Sequence, residues 1–173
     1  MDNITLEKIT YKNYIDVCWR LKVSRKQKNF VASNNNSLAE AYVALTNGGT
    51  ALPFAICNNK KPIGFLMIGY SVVEEEIEED DDPKFIEMAR KSYFIWRFMI
   101  DKRYQRKGYG RKAMQLALNY IRTLPCGPAE SIWLSYEPEN EVAKKLYSSF
   151  GFVEFPEFYH GKEGEEIPAF LKL

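Results

Sequence analysis

The chain has 173 residues, 46% hydrophobic and 14% aromatic, which supports one domain with a substantial core and argues against extensive disorder. Three cysteines (Cys18, Cys57 and Cys126) form neither a disulfide framework nor a metal-type spacing, and a single histidine builds no metal site, so no metal is expected. The net charge of +1 conceals a separation: "EEEIEEDDD", Glu74 to Asp82, carries eight of the 23 acidic residues and Arg97 to Lys112 holds seven basic ones, a pattern unlike the uniformly basic face of a nucleic-acid binder.

The N-terminal "MDNITLEKITYKNY" mixes charges from its first residues and lacks the apolar core of a signal peptide. The uncharged stretch Ala41 to Cys57 is interrupted by Asn47-Gly48-Gly49 and Pro53, well short of a membrane span. A cytoplasmic protein with no membrane partner is expected.

In chain order, "ITLEKIT" alternates apolar and polar residues and predicts a first strand. Thr10 is placed to cap a helix carrying Tyr14, Ile15, Val17, Cys18 and Leu21 on one side. "QKNFVASNNNS" reads as a loop, and Ser37 as the cap of a second helix that runs through Leu45 and stops at "NGG". "TALPFAIC" and "KPIGFLMIGYSVV" form a hairpin around Asn58-Asn59-Lys60. After the acidic run, Pro83 suits the first turn of a short helix.

"SYFIWRFMI" is nearly continuous in apolar residues, which predicts a strand covered on both faces in the middle of a sheet. Ala113, Met114, Ala117, Leu118 and Ile121 then recur at helical spacing, ending by "PCGP". "ESIWLSY" is a further strand. Asn140 heads a helix with Val142, Ala143, Leu146, Tyr147 and Phe150 on one side, closed by Gly151. "GFVEFPEFYH" and "IPAFLKL" predict two last strands, completing one α/β domain over residues 1–173 with a mixed sheet.

Two segments carry chemistry. In "MIDKRYQRKGYGRKAM", a buried-looking strand ends at Ile100 and an amphipathic helix begins past Gly108 and Gly110. The first amides of a helix lack intrahelical partners and carry partial positive charge, and glycine lets an anion approach them closely. Arg103, Arg106, Lys107, Arg111 and Lys112 add side-chain charge. The run is neither a P-loop nor a three-glycine dinucleotide fingerprint, and taken alone it fits an anion seat and an ordinary basic turn equally well. In "NEVAKKLYSSFGF", Asn140 and Tyr147 lie seven residues apart and so share one helix face. A tyrosine there can bury its ring and present a hydroxyl, with a pKa near ~10, as a proton donor. Spacing alone favours a simple core tyrosine and a simple cap.

Together, "QRKGYG" and "NEVAKKLYSSFGF" resemble the motifs of the GNAT superfamily of acetyl-CoA-dependent N-acetyltransferases, and the order of elements fits along essentially the whole chain. "QKNFVASNNNSLAEA", "ALPFAI", "WRFMIDKRYQRKGYGR" and "WLSYEPENEVAKKLY" are similar to bacterial spermine/spermidine (diamine) N-acetyltransferases. The resemblance implies a GNAT fold, a central, mostly antiparallel twisted sheet of about seven strands flanked by helices. It implies that acetyl-CoA is the cosubstrate and that its pyrophosphate lies on the amides of Arg106, Lys107, Gly108, Tyr109, Gly110 and Arg111, with Gln105 bracing the turn. Phe98, Met99 and Ile100 would offer backbone groups to the pantetheine arm, with Asn140 and the backbone near Ala143 lining the same channel. Tyr147 would be the general acid, and the three cysteines inert. Trp96 and Arg97 stand where some polyamine acetyltransferases carry acidic residues, so no base is carried over. Glu137, or water relayed past Tyr136, is a candidate only by its position at the end of the next strand, where Tyr136 and Glu137 are also expected to contact the acceptor.

For the acceptor, Phe30 in "NFVASN" falls in the region that covers the acceptor site in such folds, and Glu74 to Asp82 would steer a cation, although a charge run is commonly a solvated loop. A polyamine acceptor leads. A protein N-terminus, an amino acid or an aminoglycoside comes second, and a non-catalytic acetyl-CoA-binding module third. Similar proteins are often homodimers.

Overall fold

The computed structural model describes residues 2–72, 77, 82–162 and 164–173. Its frame is a seven-stranded sheet made of β1 (Ile4–Lys8), β2 (Ala51–Asn58), β3 (Lys61–Tyr70), β4 (Ser92–Ile100), β5 (Ser131–Tyr136), β6 (Val153–Glu154) and β7 (Ile167–Lys172). Their order is β1-β2-β3-β4-β5-β7-β6. All neighbours are antiparallel except β4 and β5, so the expected mixed, mostly antiparallel sheet is present.

The central hairpin follows from its turn. Asn58 pairs with Lys61, and the two residues between them, Asn59 and Lys60, have φ of 48° and 67°. Two positive φ values in a two-residue loop are what the right-handed strand twist asks for, and asparagine tolerates them. β3 then buries both faces. Ile63, Leu66 and Ile68 join the core beneath α3 (Tyr109–Ile121), while Phe65 and Met67 join the core beneath α1 (Asn34–Thr46). A strand sandwiched in this way needs apolar residues at consecutive positions, which explains the unbroken runs in β3 and β4. α3 contributes Ala113, Met114, Ala117, Leu118 and Ile121, all buried, to the first core.

The remaining helices are α2 (Pro83–Arg90) and α4 (Glu141–Ser148). Asp82 caps α2 by accepting the amides of Lys84 and Phe85, and Pro83 fills the first turn, where its missing N–H costs nothing. Of the acidic run Glu74 to Asp82, only Ile77 and Asp82 are among the described residues, so the steering loop lies outside them. Among the described residues no helix is long and apolar enough to cross a membrane.

Several boundaries differ from the expectations. α1 begins at Asn34 with Ser33 as its cap, accepting the amide of Asn36 at 3.2 Å; Ser37 is buried inside the helix and donates to the Ser33 carbonyl. The segment after Thr10 is short, with a π-helical turn over Asp16–Arg20 that buries Val17 but leaves Tyr14, Ile15 and Trp19 exposed. Val142 also faces solvent. The stretch expected to form a sixth strand shortens to Val153–Glu154, because Pro156 opens a 3₁₀ turn at once.

The site is created by a missing pairing. β4 and β5 are joined only where Ser92, Tyr93 and Phe94 meet Ser131, Ile132 and Trp133. Beyond Phe94 the two strands part. On its other side β4 shifts register against β3 between Met67 and Ile68, leaving Trp96 unpaired in a bulge that re-aims the strand.

Candidate active site

The turn after β4 is organised by Asp101, whose side chain is 1% exposed. One carboxylate oxygen accepts the Arg103 amide at 2.9 Å and its Nε at 2.7 Å; the other accepts Arg103 Nη2 at 3.1 Å and the Lys22 amide at 2.8 Å. Burial alone would raise the Asp101 pKa, but the bonds from Arg103 and Lys22 outweigh it and hold the carboxyl below its usual range. Arg103 also donates to the Arg20 carbonyl. It is therefore a strut of the turn and not one of the cations around an anion seat, as its sequence position suggested. Gln105 braces the turn: its Nε2 donates to the Ile100 carbonyl at 2.8 Å and to Gln27 Oε1 at 3.0 Å.

Arg106 and Gly108 have φ of 60° and 77°, and Gly108 opens α3 with no side-chain cap. The ladder starts only when Lys112 donates to the Gly108 carbonyl. Among the described residues no acceptor takes the amides of Arg106 through Arg111. A Cβ at Gly108 would meet nothing within 4 Å, so its glycine answers the left-handed φ. A Cβ at Gly110 would lie 3.7 Å from Ile100 Cγ1, an ordinary contact, so the chain's own packing does not require glycine there. Tyr109 is buried, with its hydroxyl near Asn58 Nδ2, and presents only backbone to the turn. Lys107 lies 5.8 Å over the Tyr104 ring, and Arg111 donates to Ser149 Oγ at 2.7 Å while covering Phe150. This corner can receive an anion on open amides.

Where β4 and β5 part there is a cavity of about 430 Å³. Phe30, Phe98, Tyr136, Asn140 and Tyr147, far apart in sequence, all line it. Met99 and Ile100 do not, and the Ile100 carbonyl is engaged by Gln105. Asn140 caps α4 through its Oδ1, which accepts the Ala143 amide at 3.2 Å.

Tyr147 is 8% exposed, its ring 5.5 Å from that of Tyr136 and 6.0 Å from that of Phe152. Its hydroxyl has no hydrogen-bond partner among the described residues. Burial, and secondarily the charge of Glu166, push its pKa up, so at neutral pH it is a phenol able to donate. Tyr136 differs: its hydroxyl donates to Glu154 Oε1 at 2.6 Å, and Lys144 pairs with the same carboxylate at 3.0 Å. Burial and then that bond push the Tyr136 pKa up, which makes it no base.

Glu137 stands outside the cleft lining; its backbone carbonyl accepts the Asn140 amide. The carboxylate that does line the cavity is Glu166, which accepts from Ser135 Oγ. No spacing pointed to it. It arrives through the β5–β7 register, in which Tyr136 faces Ile167 and Ser135 faces Pro168. Arg97 also lines the cleft, its charge paired with Glu40 of α1 at 2.9 Å. The three cysteines are free, and burial pushes the Cys57 thiol up to about 12, far from a reactive thiolate.

Residues 17–152 match the family model described as Acetyltransferase (GNAT) family. The chain belongs to the GNAT family. The spermine/spermidine N(1)-acetyltransferase of Bacillus subtilis is 28% identical over 138 residues, 76% of each chain. Among solved structures, an aminoglycoside acetyltransferase in complex with coenzyme A superposes with a TM-score of 0.70 at 17% identity, covering 98% of this chain and 95% of the other. The spermidine N-acetyltransferase of Vibrio cholerae, in complex with CoA and spermine, gives 0.65 at 20% identity with the same coverage. At these identities the likeness to the two structures is one of fold, a GNAT fold with a seven-stranded mixed sheet.

The Asp101 clasp has a testable pH signature. A depressed carboxyl contributes stability that is full above its unfolded pKa of ~3.9 and is lost as pH falls through the lower folded value. Asp101→Asn should cost about 1.5–3 kcal/mol at pH 7 and progressively less below pH ~4, measured by urea unfolding across that range. Parallel stability curves for wild type and variant would show that the clasp does not carry this dependence.

Proposed function

We propose that the chain is an acetyl-CoA-dependent N-acetyltransferase that transfers an acetyl group to a primary amine of a polyamine. The observation that carries this reading is the Tyr147 hydroxyl, without an internal partner, in a cleft whose β4 wall leads directly to the open amides at the start of α3. The name of the Bacillus subtilis relative, and the spermine in the Vibrio cholerae structure, support the choice of acceptor.

The cosubstrate fits what the turn offers: amides with no internal acceptor, and a Gly108 whose Cβ position opens onto free space. Acetyl-CoA, when bound, supplies an activated thioester and a thiol leaving group. The amides of Arg106 to Arg111 hold its diphosphate, with Arg106 and Lys107 adding charge. Gln105 keeps the turn in shape. The edge of β4 beyond Phe94, which has no strand partner on the β5 side, offers backbone groups to the pantetheine arm as a neighbouring strand would. Strand amides of β4 along that edge would polarise the thioester carbonyl. Asn140 lines the same channel, whereas Ala143 stands outside the cleft lining with its amide given to Asn140 Oδ1.

The acceptor nitrogen must be neutral to attack, whereas a free alkylammonium has a pKa near ~10.4. Tyr147 gives its hydroxyl proton to the leaving sulfur. The nitrogen releases one proton as the amide forms, so the phenol is restored and the proton count closes. Both partners react directly within one cleft.

One observation favours a second acceptor class. Arg97 lines the cleft with its Nε buried and without a partner beside the Glu40 ion pair, and that one open donor would suit an amine that carries its own carboxylate, such as an amino acid. Coenzyme A release with spermidine, spermine, putrescine, lysine peptides and free amino acids separates the two: faster turnover with polyamines supports the first, and a preference for amino acids replaces it. Release with none of them, despite tight acetyl-CoA binding, would make the chain a binding module.

Tyr147→Phe should lower kcat by about 10²–10⁴-fold while leaving acetyl-CoA affinity nearly intact, read by steady-state kinetics alongside calorimetry. Equal turnover in variant and wild type would remove Tyr147 as the acid. Gly108→Val, which puts a branched side chain on a left-handed residue over the open amides, should abolish acetyl-CoA binding in protein that is still folded by circular dichroism. Unchanged affinity would move the diphosphate elsewhere.

A further inference from the structure

A second cavity, of about 350 Å³, adjoins the reaction cleft, and Trp133, Ser135 and Glu166 line both. Its aromatic wall is built by rings from three separate elements. Phe85 of α2 meets Trp133 of β5 at 5.1 Å and Phe158 at 5.5 Å, both edge to face. Such a surface suits methylene groups, and its ring faces suit a cation. The chain shows that chemistry itself: the Lys84 ammonium lies 5.7 Å from the Phe158 ring centre.

Three carboxylates, Asp82, Glu165 and Glu166, complete the lining together with His160 and Lys162. Each is held by the chain. Asp82 accepts the amides of Lys84 and Phe85, and Glu166 accepts from Ser135 Oγ. Glu165 accepts the amides of His160 and Lys162 and contacts the His160 ring. Those bonds outweigh burial and keep the Glu165 pKa at about 2, so it is charged at neutral pH. Fixed carboxylates beside an aromatic wall, opening from the place where an amine nitrogen would react, make a track with one polarity: nitrogen at one end, hydrocarbon in the middle, positive charge at the far end.

We propose that this second cavity receives the distal ammonium and methylene chain of the acceptor, with Glu166 at the junction between the two cavities, so that the chain selects amines carrying a second positive group. This rests on the N-acetyltransferase reading of the cleft. A simple alkylamine would fill the cleft and leave the second cavity without a ligand. A di- or triamine fills both.

The test uses the full chain at saturating acetyl-CoA and compares kcat/KM for butylamine, putrescine and spermidine in wild type, Asp82→Asn, Phe158→Leu and Glu166→Gln. Asparagine still caps α2, so Asp82→Asn removes charge without removing the cap. Wild type should prefer spermidine to butylamine, and each variant should reduce that ratio by roughly three- to tenfold, the scale of one cation–π or charge contact. No wild-type preference for the longer amines, or a preference that all three variants retain, would overturn the inference. Calorimetric titration of spermidine into the same four proteins separates the two levels. Binding that weakens in the variants while no amine is acetylated would keep the second cavity and reject the enzyme. Turnover with binding unaffected by the variants would keep the enzyme and reject the second cavity.

Discussion

The cleft of this molecule depends on two strands that stop pairing. β4 and β5 share only three residue pairs, yet β4 continues to Ile100 and β5 to Tyr136. Unpaired backbone in a buried place is costly, since each N–H and C=O left without a partner forfeits a hydrogen bond it would have made in water. The chain accepts that cost along one edge and contains it elsewhere: β3 closes the other edge of β4, the bulge at Trp96 turns the strand, and α1 and α3 cover the two faces. What remains is a wall of backbone groups that a ligand extended like a strand could satisfy. The cleft is a property of the sheet before it is a property of any side chain.

The wall would be of little use if the turn at its end were free to move, and there the buried Asp101 matters most. Its carboxylate ties the first residues after β4 to the backbone of Lys22, while Gln105 ties the next residues to Gln27. The Gln27 carbonyl in turn accepts the Phe30 amide, and Phe30 lines the cleft. One hydrogen-bonded chain thus runs from the open amides at the start of α3 to the segment that covers the cleft from the opposite side. A network of this kind holds its parts in register because each member's loss leaves another buried polar group unsatisfied.

Much of this was legible in the sequence wherever local chemistry dictates local shape. The Asn59-Lys60 turn, the doubly buried β4, the apolar face of α3 and the Asn140 cap each follow from residues that are neighbours in the chain. Ser37 stands directly before the apolar positions of α1 and Ser33 before three asparagines, so sequence alone points to Ser37; packing against Val17 decides otherwise, because Asn34 Nδ2 reaches the Val17 carbonyl at 2.8 Å and draws the first turn into the core. Arg103 looked like one more cation in a basic run, since nothing nearby announces that Asp101 will be buried and will claim it. Glu166 was invisible for a more general reason. It reaches the cleft through a strand register, and register is fixed by side chains on another strand more than thirty residues away. Tyr147 and Asn140 fell together because helical spacing alone places them on one face.

The cleft's polar groups differ in how fully the fold already engages them, and that difference bears on their chemistry. Arg97 is neutralised by Glu40, Tyr136 is bound to Glu154, and Asn140 Oδ1 is held by its own helix. A group whose hydrogen bonds are already made positions its surroundings; to react it would have to break them first. Arg97 Nε and Trp133 Nε1 are donors left without a partner in the same lining, but Tyr147 alone of these combines an open hydroxyl with a ring gripped on two sides, by Tyr136 and Phe152. Rigid carbon and an uncommitted oxygen are what a proton donor needs, because the proton must leave along a fixed line and the oxygen must not be held back by another acceptor. The same logic applies to the amides at the start of α3, fixed by Asp101 and Gln105 and yet themselves unclaimed. Tyr147 and the first amides of α3 are thus alike in being held still while their polar atoms keep no internal partner.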